Sequence, residues 1–129
     1  MNKILVEVSV GELLDKISIL EIKSEKIKDP EKLNFINDEY KILKNQLNKN
    51  IKNYSEIESL YNSLKEINSK LWVIEDDKRL CEKNSDFGEK FIKLSRDVHF
   101  LNDERAKLKL EINNKTGSKI KEIKEYTKY

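Results

Sequence analysis

Apolar residues recur at spacings of three and four through four long windows, and this period limits the chain to helices packed on helices. In the first window Leu13, Leu14, Ile17, Leu20 and Ile27 share a face, which Ile19 and Ile22 widen. In the second, Leu33, Ile36, Tyr40, Leu43 and Leu47 form a narrow seam of the coiled-coil kind. Ile57, Leu60, Leu64, Ile67, Leu71 and Ile74 form a third seam. Phe87, Phe91, Leu94, Val98, Leu101, Leu108 and Ile112 form a fourth. Short joins make successive helices antiparallel neighbours. The pattern therefore predicts a mainly all-α antiparallel bundle of about four helices, over residues 9–28, 30–50, 55–83 and 87–115.

Punctuation falls where these windows end. Ser9 with Glu12 reads as a capping box, and Ser55 with Glu58 as a second. Asp29-Pro30 stops one helix and starts the next as N-cap and first residue. Asp86 is placed to cap the last helix, with Glu89 in its first turn, and Gly117 to end it. Ahead of the first helix, the β-branched Ile4, Val6 and Val8 alternate along residues 3–8 and predict a short strand. A lone strand leaves backbone groups unpaired, so its expected partner is the tail, residues 118–129, or a second subunit.

At 129 residues the chain reads as one domain, residues 1–129, with no internal repeat and no dividing linker. Apolar residues are 37% and charged residues 39%, so the core is modest and pairing with a second copy is a natural remedy. Lys and Arg number 26 against 24 Asp and Glu, with the signs interspersed, which argues against a general nucleic-acid binder. One cysteine excludes an internal disulfide and fits a reducing compartment. No apolar run approaches the roughly 20 residues a membrane span needs. Its first residues also hold too short an apolar stretch for a signal peptide. The expected setting is the cytoplasm, away from membrane and nucleic acid.

Against a background rich in Lys, Ile and Asn, all three arginines (Arg79, Arg96, Arg105) fall between Trp72 and Ala106. A guanidinium is kept where a planar fork of donors must meet a carboxylate or phosphate. Arg105 sits where the apolar stripe of the last helix passes, so it should be partly buried, and a buried charge needs a partner. Counting from the pole shared by the first and last helices puts Glu21 level with Arg105. The same count puts Glu75 and Asp76 near Arg96. Two readings follow: an anion pocket with Lys16, Arg96 and Arg105 as donors, or salt bridges that fix helix register. The candidate ligand-binding set is Lys16, Glu21, Glu75, Asp76, Arg79, Arg96, Asn102, Asp103 and Arg105. No residue is singled out as catalytic.

Other chemistry finds little support. His99 and Cys81 have no metal-site spacing, and there is no Glu-x-x-His pattern. The glycines at 11, 88 and 117 are too scattered to cradle a phosphate. No cofactor or metal is expected. Trp72 reads as a core or pocket wall, and Cys81 as a small core filler.

Three segments are distinctive in combination: Val6–Lys23 (VEVSVGELLDKISILEIK), Leu71–Asp76 (LWVIED), and Asn102–Ala106 (NDERA) followed by Glu111-Ile-Asn113 and Thr116-Gly-Ser118. Through them the chain resembles a family of small bacterial and phage proteins, a domain of unknown function, from Val6 to Tyr126. The resemblance implies one compact unit and carries no activity with it. Residues and resemblance together lead to a helical interaction or assembly protein, expected as a homodimer. The alternative is a binding protein or enzyme for a phosphorylated sugar or nucleotide.

Overall fold

The computed structural model describes residues 2–129 and contains four α-helices. They are α1 (Val10–Lys26), α2 (Pro30–Asn50), α3 (Glu58–Lys83) and α4 (Glu89–Thr116), with a 3-10 turn at Tyr54–Glu56 before α3. The period of the apolar residues thus fixed element type and number. Among the described residues there is no β-strand, and this corrects the expectation for residues 3–8. Ile4, Leu5 and Val6 lie irregular and exposed. Alternation supplies a strand's faces, but a strand forms only against a neighbouring backbone. The tail does not supply one. It runs back along α4 in irregular form, held by side chains: Lys109 reaches Glu122, and the Tyr129 hydroxyl donates to Asp103.

Two of the expected N-caps are present. The Ser9 hydroxyl accepts from the Glu12 backbone N–H at 3.1 Å, and Asp29 accepts from the Glu31 N–H at 3.0 Å, with Pro30 following it. Gly117 closes α4 in the left-handed region, at φ 66°, and Ser118 N–H returns to the Asn113 carbonyl. The cap expected at Ser55 is absent, because α3 starts after Ile57 with no side-chain cap. Ile57 is buried at 1% exposure, and Tyr54 packs edge-on against Tyr61. Burying an isoleucine stabilises by about 1.5–3 kcal/mol, more than the roughly 1 kcal/mol of a cap, so the core sets the chain path here. Asp86 also does not cap α4. Its carboxylate accepts from Gly88 N–H at 3.2 Å within the turn.

The helices form two hairpins, α1–α2 and α3–α4, joined through α1. α2 approaches α1 closely and neither α3 nor α4, which corrects the expectation that every pair of successive helices packs as neighbours. α1 packs against all three others, and Ile19 and Ile22 widen its apolar face enough to do so. It does not stand beside the α3–α4 hairpin but lies across it. Asp15 and Ser18 both meet Asn68, while Glu21 points toward Tyr61 and Lys65. Ile19 and Ile22 face the other way, toward Trp72. The core lies at this crossing: Leu14, Ile17, Leu47, Ile57, Tyr61, Leu64 and Ile112.

One glycine makes the crossing close. A Cβ on Gly11 would stand 2.5 Å from the Lys109 carbonyl oxygen and 3.0 Å from Asn113 Oδ1. With none there, Gly11 N–H donates to Asn113 Oδ1 at 2.7 Å, docking the first turn of α1 onto α4. The register of the two helices follows from this contact.

Candidate functional site

A line of polar residues runs through the crossing. On α1, Gly11, Asp15 and Ser18 are buried in successive turns; on α4, Lys109 and Asn113 are buried and Arg105 half-buried. These positions recur at about one turn, so each helix presents a polar strip to the other.

Asp15, only 2% exposed, is the hub. Arg105 grips its carboxylate with two donors, Nε lying 2.9 Å from Oδ1 and the terminal amine on Oδ2. Asn68 Nδ2 donates to the same Oδ1 at 2.9 Å and to the Ser18 hydroxyl at 2.8 Å. Lys109 Nζ stands 3.9 Å from Oδ2. Burial alone would raise the Asp15 pKa, but the hydrogen bonds from Arg105 and Asn68 and the charges of Arg105 and Lys109 outweigh it. The carboxylate is held below its ordinary range and stays ionised. Arg105 in turn is pushed up, chiefly by its bond to Asp15.

Lys109 is 6% exposed and joins the strip to the tail. Its ammonium donates to Glu12 at 2.8 Å and to Glu122 at 2.6 Å, while Lys124 lies 3.4 Å from Glu122. Three acids (Glu12, Asp15, Glu122) therefore face three bases (Arg105, Lys109, Lys124), and the cluster is electrically balanced. Among the described residues no buried side-chain nitrogen or oxygen lacks a hydrogen-bond partner. A carboxylate so fully engaged is a poor proton acceptor and offers no open edge to a substrate.

The residues singled out from sequence are dispersed. Glu21 is not the partner of Arg105; it accepts from the Tyr61 hydroxyl and pairs with Lys65 at 3.0 Å. Burial and this bond push the Tyr61 hydroxyl up, and burial with Glu58 nearby pushes Tyr54 up to about 12. The level count failed because α4 overhangs the start of α1 by about a turn. Gly11 sits opposite Lys109 and Asn113, which leaves Asp15 level with Arg105. Arg96 meets neither Glu75 nor Asp76 but lies over the Phe100 ring, 5.9 Å from its centroid, on the exposed side of α4. Glu75 pairs with Arg79 one turn on, at 3.1 Å and exposed. Lys16 points to solvent, Asn102 is half-buried, and Asp103 receives the Tyr129 hydroxyl. Four of the nine do converge: Glu75, Asp76, Arg79 and Arg105 line a groove of about 440 Å³ beside Trp72, Ile19 and Ile22.

Sequence reasoning missed Asp15, Asn68, Lys109 and Asn113. The signal was there, since Asn68 sits one turn from Leu64, Lys109 one turn from Ile112, and Asp15 and Asn113 directly follow Leu14 and Ile112.

Residues 4–129 match the sequence profile of a family of unknown function, DUF6165. The chain belongs to the DUF6165 family. No curated protein and no solved structure matches it. The interlocked strip is thus a property of this DUF6165 chain read from its own geometry. Among its described residues no three His, Cys, Asp or Glu side chains cluster as a metal site would require, and no helix is long and apolar enough to cross a membrane.

Proposed function

We propose that this DUF6165 protein is a helical assembly module that acts as a homodimer and carries no catalysis of its own. The observation behind this reading is the closure of Arg105 on Asp15. The arginine that could have waited for an anion already has its carboxylate, and the surrounding polar groups saturate one another. Charges buried in this way contribute little net stability but penalise every other register. Light scattering at micromolar concentration should give twice the 15.3 kDa chain mass. A single-chain mass would overturn the reading.

A second reading rests on the groove beside Trp72. Its size falls within the range of small-molecule pockets, about 300–1,000 Å³, and its rim carries Arg79 and the outer edge of Arg105. An anionic ligand such as a phosphorylated sugar would bind there. A rise in melting temperature with a sugar phosphate, lost in Arg79→Met, would favour this reading over the first.

A further inference from the structure

We propose that the second copy docks on the distal half of the α3–α4 hairpin, so that two hairpins close into one four-helix bundle. This rests on the homodimer reading. α1 covers the hairpin at its base. Beyond it the end of the tail reaches α4, where Tyr129 packs edge-on against His99 and Phe100. The rest of this face is uncovered by any other helix. Between Leu71 and Lys109, Cys81 is the one buried side chain. Two helices alone cannot bury a stripe as wide as the α4 one, and Leu94, Val98 and Leu101 stay half-exposed. On the outer side Val73 is 48% and Ile92 56% exposed. Val73, Ile74, Phe100 and Leu101 line an apolar groove there, of about 630 Å³.

Area argues that something covers this face. The accessible surface is 9651 Å². A compact chain of 15.3 kDa should expose about 7,100 Å². The extended ends, residues 2–8 and 119–129, and the two-helix tip both add to the excess. A standard interface removes about 800 Å² from each partner, well within that margin.

Charge argues that the occupant is another copy. The groove is flanked by Glu66 and Lys70 on α3 and by Lys93 and Asp97 on α4, each an acid and a base one turn apart. The four sum to zero, which suits neither a nucleic acid nor an anionic membrane. From the base of the hairpin toward its tip, both edges read acid and then lysine. Turning a second copy end for end sets the lysines of each toward the carboxylates of the other. A two-fold contact needs such self-complementarity.

The test replaces two exposed residues, so the protomer keeps its core. Val73→Glu with Ile92→Glu should weaken dimerisation about a hundredfold or more, giving a single-chain mass with unchanged circular dichroism. Phe35→Glu with Ile42→Glu, on the exposed apolar side of α2, should leave the dimer intact. A dimer that survives the hairpin changes, or breaks with the α2 changes, would overturn the proposed face and leave the homodimer reading standing. A monomeric unsubstituted protein would overturn both.

Discussion

The base and the tip of the α3–α4 hairpin are made of the same two helices, yet they are held in different ways. At the base α1 lies across them, Leu14, Leu64 and Ile112 are fully buried, and a balanced polar strip locks the register. Toward the tip the same stripes continue in sequence, but no third helix lies across them. Only Tyr129 of the tail touches His99 and Phe100, and among the described residues there Cys81 alone is buried. Amphipathic pattern therefore specifies helices throughout, whereas burial depends on which helix arrives to cover them. Gly11 and Asp15 bring α1 to the base; among the described residues the tip has no such counterpart.

The largest effect should come from unlocking the base. Removing one member of a buried, hydrogen-bonded pair strands the other, so Arg105→Met or Asp15→Asn should each cost about 3 kcal/mol. Combining them should recover much of that loss, because the two share one interaction. Chemical denaturation of the four proteins measures the coupling, and strictly additive losses would show that the pair does not act as a unit. The pH dependence has a definite sign. Since the Asp15 pKa is depressed by folding, its contribution is complete above the unfolded value, about 3.9, and is lost as pH falls through the lower folded value. The gap between the unsubstituted protein and Asp15→Asn should be flat near neutrality and shrink below about pH 4.

A smaller contrast separates the two regions directly. Leu64, fully buried at the base, should cost about 2–5 kcal/mol as Leu64→Ala. Leu94, half-exposed toward the tip, should cost about 1 kcal/mol in a protomer measured at high dilution. If the tip is covered by a second copy, the Leu94→Ala loss should grow with protein concentration while the Leu64→Ala loss does not. Equal losses at every concentration would erase the distinction between the regions.

The helices, their number and the turns at Asp29-Pro30 and Gly117 were legible in the sequence, because period and capping are local. Strand formation at residues 3–8 was not, because pairing depends on a partner whose presence no local pattern reports. The need of Arg105 for a buried carboxylate could be read from its place in a stripe. Which carboxylate answers it could not, because that depends on how far α4 overhangs α1. Asp15 was passed over for a different reason. With so many charged residues in the chain, an acid beside Leu14 looks like surface, although its spacing from Gly11 and Ser18 placed it on the inner face. Lys109 was missed likewise, as one lysine among many.

The smallest expected effect compares the two ends of the hairpin's helices. At the base Gly117 closes α4 in the left-handed region at φ 66°, and at the tip Ser85 follows α3 in the same region at φ 52°. The bonds match, since Asp86 N–H returns to the Cys81 carbonyl at 2.8 Å as Ser118 N–H returns to that of Asn113 at 2.9 Å. A residue with a Cβ costs about 1–2 kcal/mol in this conformation, whereas glycine adopts it freely but gives the unfolded chain more entropy. The first effect is the larger, so Ser85→Gly should stabilise the protein by about 0.5–1 kcal/mol. Ser85 is exposed and its hydroxyl has no partner among the described residues, so nothing offsets the gain. A higher urea midpoint with an unchanged slope is the expected result. A lower midpoint would mean that the tip does not hold this turn in solution and that its helices fray there. A loose tip of that kind would set it further apart from the base.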